Sequence, residues 1–178
     1  MITLVTGPAR SGKSEWAEIL AQNSQKPVIY IATAMIDPDD LDWQNRIIKH
    51  QQRRCTEWQT LEVPINLAET ILEYPDTMCL LIDSLGTWVT NMLYQDDMLW
   101  ESNIQTFLTS LSNCAADVIL VGEETGWGVV PSYPIGRIFR DRLGTLTRKI
   151  AQISDVVYLV STGYVLNLTQ LGVLLPPS

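Results

Sequence analysis

The sequence predicts an α/β fold in which a mostly parallel β-sheet carries helices on both faces. Two observations support this prediction. Short aliphatic runs alternate with longer amphipathic stretches along the 178 residues, and the runs are apolar throughout rather than at every second position. Such strands are buried on both sides, and parallel strands need the helical crossovers that the alternation supplies. We predict a single domain over residues 1–178, because a chain of this length builds one hydrophobic core.

The predicted elements follow this alternation in chain order. Strands are expected at residues 2–6, 28–32, 78–82, 118–121 and 156–160, with a closing hairpin at 164–175. Helices are expected at residues 13–22, 39–54, 99–111 and 135–153. The first helix should place Trp16, Ile19 and Leu20 on one face. The second begins with acidic residues and ends with basic ones, as the helix dipole favours.

The composition narrows the functional classes. Apolar residues make up 46% of the chain and charged residues 18%, which is typical of a globular protein. The net charge of −8 argues against a protein that wraps nucleic acid, since it offers no broad basic surface. The chain has three cysteines, an odd number, and no two of them have the spacing of a metal site, so we expect free thiols. We expect no signal peptide and no membrane span, and therefore a cytoplasmic protein.

A phosphate-binding pattern lies between the first predicted strand and the first predicted helix. It matches G-x-x-x-x-G-K-[ST] with Gly7, Pro8, Ala9, Arg10, Ser11, Gly12, Lys13 and Ser14. In a chain of this length the pattern arises by chance with a probability on the order of 1%. Its position between a strand and a helix is the context that a P-loop requires. The sequence therefore predicts a site for the phosphates of a nucleoside triphosphate.

The chemistry of phosphate binding explains these residue types. Two glycines let the backbone curl around an anion, and the amides of residues 11–14 point inward at the start of a helix. Lys13 adds a positive charge at the β- and γ-phosphates, and the Ser14 hydroxyl is a ligand for Mg²⁺. Asp83, at the end of the third predicted strand, is the second expected Mg²⁺ ligand. The alternative for Asp83 is an ordinary turn or cap residue next to Ser84.

His50 is the only histidine in the chain. Arg46 precedes it by four residues, and Arg53 and Arg54 follow by three and four, so the predicted helix places all of them on one face. The neighbouring positive charges should lower the pKa of His50 and keep its imidazole neutral. A neutral imidazole beside cations that hold phosphate is a candidate nucleophile toward phosphorus. The alternative is a surface histidine on a solvated basic helix end.

Further segments make the motif set more specific than the P-loop by itself. They are GPARSGKSEWAE, YIATA, RIIKHQQRR followed by EWQTLE, LLIDSLGTWVTNML, GWGVVP and GRIFRDRLG. In content and order they resemble the bifunctional adenosylcobinamide kinase/adenosylcobinamide-phosphate guanylyltransferase family of cobalamin biosynthesis, and they cover nearly the whole chain. The histidine segment together with W-V-T-N and G-x-G-x-V-P carries most of this specificity.

The resemblance implies two activities on one P-loop NTPase fold. The family phosphorylates the aminopropanol hydroxyl of adenosylcobinamide with ATP or GTP. It then attaches GMP from GTP to a histidine and passes it to adenosylcobinamide phosphate, giving adenosylcobinamide-GDP. The resemblance also implies a homo-oligomer, with a trimer expected. The implied catalytic residues are His50 and Lys13, and the family's nucleotide contacts outside the P-loop match Ala32, Thr33, Ala34, Gln51, Gln52, Arg53, Arg54, Glu62 and Asp83.

Each implied role agrees with the chemistry of the residue. Attack by neutral His50 on the α-phosphorus would give a phosphoramidate, and pyrophosphate would leave toward Lys13. Arg53 and Arg54 could neutralise non-bridging phosphate oxygens. Glu62 could accept hydrogen bonds from guanine N1–H and the N2 amine, which would select guanine over adenine. The alternative for Glu62 is an ordinary surface carboxylate.

Several residues depart from the family pattern. Pro8 stands where glycine is common, and in Gly122-Glu123-Glu124-Thr125, where T-N-E-V is usual, Glu124 is retained but its neighbours differ. Trp127 could form part of a platform for the corrin ring, although aromatic residues more often serve core or subunit contacts.

Two other functions remain open on the sequence. The chain could be a P-loop kinase of another small metabolite, although a simple kinase does not need His50 and its flanking arginines. It could also be a GTP-dependent regulatory binding module, which would bind nucleotide without transfer to a corrinoid.

Overall fold

The computed structural model describes residues 1–35, 55 and 57–176, and within that part seven strands form one sheet. They are β1 (Ile2–Gly7), β2 (Val28–Ala32), β3 (Gln59–Glu62), β4 (Cys79–Asp83), β5 (Asp117–Glu123), β6 (Val156–Ser161) and β7 (Tyr164–Asn167). Their spatial order is β3-β2-β4-β5-β1-β6-β7. Strands β1 to β6 run parallel, and β7 pairs antiparallel with β6. The predicted mostly parallel sheet is confirmed.

Helices connect most of these strands. They are α1 (Lys13–Asn23), α2 (Leu67–Thr70), which a 3₁₀ turn (Ile71–Glu73) continues, α3 (Leu85–Asn91), α4 (Asp97–Asn113), α5 (Pro134–Ile153) and α6 (Leu168–Leu171). Local chemistry explains where the longer ones begin. The Asp96 side chain caps α4 by accepting from the Leu99 amide, and α5 starts with Pro134 in its first turn, where no amide donor is needed.

The sheet has a hydrophobic core on each face. One core packs strand residues against α2 to α5, and its largest side chains include Trp88 and Phe107, whose rings lie 4.6 Å apart. The other core packs the opposite strand residues, among them Val5 and Tyr30, against α1. Helices therefore lie on both faces, as predicted, and the aliphatic strands have no solvated side.

Arg142 fixes the junction between α3 and α4. This side chain of α5 is only 8% exposed, and its guanidinium stacks over the Trp100 ring at 4.9 Å. It donates to three carbonyls of the connecting turn and to one carboxylate: Met92, Leu93, Gln95 and Asp97. A buried cation needs such partners, because burying a charge without them costs on the order of several kcal/mol.

The structure corrects three details of the predicted elements. In α1 it is Ala17 and Ala21 that face the sheet, whereas Ile19 is 44% exposed, because small residues let the helix approach the strands closely. Strand β3 was not predicted, since an edge strand that is mostly exposed needs no aliphatic run. Helix α3 was not predicted either, although Ser84 had been recognised as a possible cap.

Other predictions have mixed outcomes. The hairpin predicted at residues 164–175 is wrong in its bounds, because that segment supplies only one strand, β7, which pairs with β6 before the chain enters α6. The predicted helix at residues 39–54 lies outside the described residues. The three cysteines are free, as predicted. Among the described residues, no helix combines the length and hydropathy needed to cross a bilayer.

Candidate functional site

The P-loop connects β1 to α1, and its backbone is curled as the motif requires. Gly12 has φ of +99° and directly precedes the first residue of α1, Lys13. The Ser11 amide donates to the Pro8 carbonyl at 3.3 Å, which closes the turn. Only glycine adopts such a backbone conformation without strain, so the glycine before the lysine is explained by geometry.

Gly7 is required for a different reason, the close approach of β6. A Cβ atom built on Gly7 would lie 2.1 Å from the Val160 carbonyl oxygen and 2.8 Å from Ser11 Oγ. The amide of Gly163, in the turn between β6 and β7, donates to the Ser11 carbonyl at 3.3 Å. The end of β6 therefore supports the P-loop from behind, and no side chain fits between them.

Two polar groups of the loop are suited to receive an anion. The hydroxyl of Ser11 is buried and has no hydrogen-bond partner among the described residues. Within the described part of the chain, Lys13 Nζ makes one long contact of 3.4 Å, with the Pro8 carbonyl. A buried hydroxyl without a partner costs free energy, and a ligand that accepts a hydrogen bond from it would recover that cost. Together with the amides at the start of α1, these groups fit the phosphates of a nucleotide.

The carboxyl ends of five neighbouring strands align four predicted site residues and Glu123 in one row. Ala32 at the end of β2 lies beside Glu62 of β3 on one side and Asp83 of β4 on the other. Gly7 of β1 lies beside Glu123 of β5. Strands of a sheet lie about 4.8 Å apart, so Glu62 and Asp83 have α-carbons roughly 10 Å from each other. The row is long enough to bind an extended nucleotide.

Asp83 is held in place by an aromatic hydroxyl. Tyr30 of β2 donates to Asp83 Oδ2 at 2.8 Å. The next residue, Ser84, caps α3 by accepting from the Thr87 amide. The Asp83 carboxylate therefore lies at the strand end, where a metal ligand is expected, and Ser84 is the residue that caps the helix.

Glu123 and Glu124 were not among the predicted site residues, although both lie beside the P-loop. Glu123 Oε1 accepts from Ser84 Oγ at 2.5 Å, and Oε2 accepts from the Gly86 amide at 2.8 Å. Glu124 Oε1 accepts from Thr6 Oγ1 at 2.9 Å. The signal that identified Asp83, an acidic residue at the end of an aliphatic strand, would have found Glu123 as well.

The surroundings of Glu123 alter its titration. Burial raises the pKa of this carboxyl above its ordinary value, and the negative charge of Asp83 adds to the rise. The hydrogen bond from Ser84 and the positive charge of Lys13 oppose it. Asp83 ends the strand beside β5, and Gly7 lies opposite Glu123 in the sheet, so these residues lie at the same edge as the start of the P-loop.

The W-V-T-N segment of α3 anchors the loops that follow β2 and β3. Asn91 Nδ2 donates to the Thr33 carbonyl at 2.7 Å and to the Pro64 carbonyl at 2.8 Å. Trp88 Nε1 donates to the Ile65 carbonyl at 2.8 Å. These bonds fix the backbone next to Ala32 and Glu62, so the segment acts on the site through position.

Thr33 is fully buried, and its hydroxyl already has partners. It donates to the Ser84 carbonyl at 2.6 Å and accepts from the Ser84 amide at 2.9 Å. The Thr33 amide also donates to the Asp83 carbonyl at 3.4 Å, and its carbonyl accepts from Asn91, whereas the neighbouring Ala34 is partly exposed. The nucleotide contacts of Ala32, Thr33, Ala34, Glu62 and Asp83 stay predictions.

The remaining predicted residues cannot be located. His50, Gln51, Gln52, Arg53 and Arg54 lie outside the described residues. In the part of the chain that is described, no three His, Cys, Asp or Glu side chains converge to hold a metal ion. Magnesium is commonly bound by one or two protein oxygens together with phosphates, and the Ser14 hydroxyl and the Asp83 carboxylate supply oxygens of the right kind.

Comparison with known proteins identifies close relatives of the chain. A family model described as "Cobinamide kinase / cobinamide phosphate guanyltransferase" matches residues 3–168. The "Bifunctional adenosylcobalamin biosynthesis protein CobP" of Pseudomonas aeruginosa is 39% identical over 165 residues, covering 92% of this chain and 94% of that protein. The corresponding CobU proteins of Escherichia coli and Salmonella typhimurium are each 35% identical, covering 92% of this chain and 97% of theirs.

Solved structures resemble the fold at much lower identity. A structure from Pyrococcus horikoshii OT3 superposes with a TM-score of 0.57 at 8% identity, covering 94% of this chain and 85% of that one. The RadB recombinase superposes with a TM-score of 0.45 at 11% identity, covering 89% of this chain and 73% of its own. The resemblance to the Pyrococcus horikoshii structure shows a shared fold and nothing about function.

Replacing Gly7 with alanine should damage the P-loop. The added Cβ would press on the Val160 carbonyl, so we expect the free energy of unfolding to fall by about 2 kcal/mol, within the range for overpacking, and GTP affinity to fall with it. Gly144→Ala is the matched control, because nothing lies within 4 Å of the new Cβ on α5. That variant should gain up to about 1 kcal/mol. Urea unfolding measures both, and wild-type stability in Gly7→Ala would contradict the proposed steric constraint.

Replacing Glu123 with glutamine should change how stability depends on pH. A folded-state pKa above the unfolded value means that the group's contribution is complete at low pH and is lost as pH rises through the folded pKa. The wild type should therefore lose stability relative to Glu123→Gln as pH increases from about 4.5, the ordinary glutamate value. Urea unfolding in metal-free buffer at several pH values measures this difference.

The control for this pH series is Glu73→Gln, at an exposed position far along the chain from the P-loop. Its difference from the wild type should stay nearly constant with pH. A constant difference for Glu123→Gln as well would show that Glu123 titrates normally.

Proposed function

Since the chain belongs to the cobinamide kinase/cobinamide phosphate guanyltransferase family, we propose that it catalyses both reactions named for that family. It phosphorylates the hydroxyl of adenosylcobinamide with ATP or GTP, and then transfers GMP from GTP to the phosphate, giving adenosylcobinamide-GDP. The observation that carries this proposal is a complete P-loop, supported by β6 and flanked by acidic strand ends, in a chain that matches the family over residues 3–168.

The kinase step is a displacement at the γ-phosphorus. The substrate hydroxyl oxygen bonds to phosphorus, the bond to the β,γ-bridging oxygen breaks, and the nucleoside diphosphate leaves with that electron pair. The hydroxyl proton is released to a base or to water. Lys13 and the amides at the start of α1 stabilise the charge on the transferred group. Ser14 and Asp83 would hold Mg²⁺, which when bound neutralises part of the charge on the phosphates.

The guanylyl transfer proceeds through His50. Its neutral nitrogen bonds to the α-phosphorus of GTP, the bond to the β-phosphate breaks, and pyrophosphate leaves. A phosphate oxygen of adenosylcobinamide phosphate then displaces the imidazole from phosphorus, which restores the histidine. Arg53 and Arg54 balance charge on the non-bridging oxygens. These roles rest on the sequence and on family membership.

Guanine selection is assigned to Glu62. This exposed side chain ends the edge strand β3, and the Val63 amide donates to the Ala32 carbonyl at 2.8 Å, which holds the strand end beside β2. A carboxylate there is free to accept two hydrogen bonds from the guanine edge, whereas adenine presents an acceptor at the same place. The geometry of the row supports a base bound over β2 and β3 and phosphates bound over β1.

Copies of the chain associate, and the trimer stays the expected assembly. Residues 156–178 contain no charged side chain. Several large apolar groups in this stretch are exposed, including Tyr164 at 77% and Val173 at 96%. An apolar surface of this kind is typical of subunit contacts. Neither a kinase of another metabolite nor a regulatory module is favoured, because the relatives named above are bifunctional biosynthesis proteins.

Incubation with α-labelled GTP and Mg²⁺ should label the protein. We expect GMP linked to His50, stable in base and released by acid, and absent from His50→Ala. Lys49→Ala is the control, because it changes the neighbouring side chain and keeps the imidazole, so it should leave the label unchanged. Unchanged labelling of His50→Ala would remove the nucleophile assignment.

Lys13→Ala should lose phosphoryl transfer to adenosylcobinamide. We expect kcat/KM to fall by at least about 100-fold, the effect of removing one preorganised charge-stabilising group. The control is Lys149→Ala, whose ammonium pairs with Glu101 at 2.8 Å on the surface and should leave the rate unchanged. The assay follows γ-labelled phosphate into the corrinoid, and a wild-type rate in Lys13→Ala would rule out the P-loop mechanism.

A further inference from the structure

The loop between β5 and α5 displays an unusual concentration of exposed apolar side chains. Within seven residues, Trp127 is 62% exposed, Val129 94%, Val130 56% and Tyr133 66%. Single exposed apolar residues are common, but a group of this kind marks a binding surface. Residues 125–136 also carry no charge, in a chain whose net charge is −8. We call residues 125–133 the apolar loop.

The apolar loop begins at the P-loop itself. The amide of Glu124 donates to the Gly7 carbonyl at 2.9 Å, and its side chain accepts from Thr6. Trp127 follows three residues later, so its α-carbon lies at most roughly 11 Å from that of Glu124. Anything bound on the loop is therefore next to the place where the γ-phosphate is transferred.

The loop is held in a defined shape. Arg140 of α5 donates to the Gly126 carbonyl at 2.7 Å. Arg137 donates to the carbonyls of Pro131 and Ser132 at 3.1 and 2.7 Å. Gly136 lies against Pro131 so closely that a Cβ would be 2.8 Å from the proline ring. Both ends are thus fixed to α5, and the apolar side chains are presented without large loss of conformational entropy on binding.

We propose that the apolar loop is the docking platform for the macrocycle of the corrinoid substrate, with Trp127 stacked on the ring. This inference rests on the proposed function and names the part of the site that binds the acceptor. The ring is broad, has apolar faces and carries uncharged amide arms, so an uncharged surface with a large aromatic side chain matches it. Its hydroxyl arm would then lie toward the P-loop, because the apolar loop follows Glu124, whose amide donates to the Gly7 carbonyl.

A second copy of the chain is the competing occupant. The uncharged carboxyl-terminal stretch on β7 and α6 offers a larger apolar surface for subunit contacts, and it lies on a different strand of the sheet from the loop. The apolar loop differs from it because it directly follows Glu124, whose amide donates to the carbonyl of Gly7 at the start of the P-loop, and because it presents Trp127. The experiment below separates the two occupants.

The test compares wild type, Trp127→Ala, Trp127→Phe and Tyr94→Ala. Tyr94 is 91% exposed and lies outside the loop, so its variant is the matched control. Equilibrium dialysis measures the Kd for adenosylcobinamide and for GTP, and light scattering measures the mass. We expect the corrinoid Kd to rise about tenfold in Trp127→Ala, as for loss of one stacked aromatic. It should rise only about two- to threefold in Trp127→Phe, which keeps a ring.

Several results would overturn the inference. One is an unchanged corrinoid Kd in Trp127→Ala, and another is an equal rise in the Kd for GTP. A lower mass for Trp127→Ala would assign the loop to a subunit contact instead. The proposed function fails separately, if wild type binds the corrinoid without phosphorylating it. In that case the Kd values still decide the role of the loop, and absence of corrinoid binding to wild type refutes both.

Discussion

The phosphate site depends on the close approach of two neighbouring strands, where Gly7 passes the Val160 carbonyl. Any Cβ at Gly7 would lie 2.1 Å from that oxygen, so the backbone of β1 can reach its curled conformation only without a side chain. Closely packed interiors do not yield to such an overlap without moving backbone. Because Gly7 also accepts from the Glu124 amide, a shift there would displace the loop after β5 together with the P-loop.

The site concentrates negative charge around an anion-binding loop. Asp83 and Glu123 end neighbouring strands at the edge of the sheet where the P-loop begins, in a protein of net charge −8. Such an arrangement is unfavourable for a bare phosphate, and it suits a phosphate that arrives with a divalent cation. Burial and the charge of Asp83 both raise the pKa of Glu123 above its ordinary value. Local charge, rather than net charge, therefore governs nucleotide binding.

Side chains of α3 and α5 hold two different loops at the same edge of the sheet. Asn91 and Trp88 bind backbone carbonyls after β2 and β3, and so hold the region proposed for the base. The arginines of α5 hold the loop after β5, next to the phosphates. The two substrates would therefore meet over β1, where the phosphoryl group is transferred.

The aliphatic runs, the P-loop pattern and Asp83 were predictable from the sequence, because burial on both faces and phosphate chemistry impose residue types at short spacing. Strand β3 and the inward face of α1 were not. An exposed edge strand carries no aliphatic signal, and Ala17 and Ala21 face the sheet because their small size permits close packing. Glu123 carries the same signal as Asp83, an acidic residue at the end of an aliphatic strand.

By itself, the sequence determined the class of fold, the phosphate-binding loop and the family, since each is encoded in residues that are neighbours along the chain. Only the tertiary structure decided which strand ends lie side by side, and thus that Glu62, Ala32 and Asp83 form one row. It likewise decided that Gly7 must lack a side chain because of Val160, a residue 153 positions away. Strand order and close approach depend on how distant segments pack, and no local pattern records them.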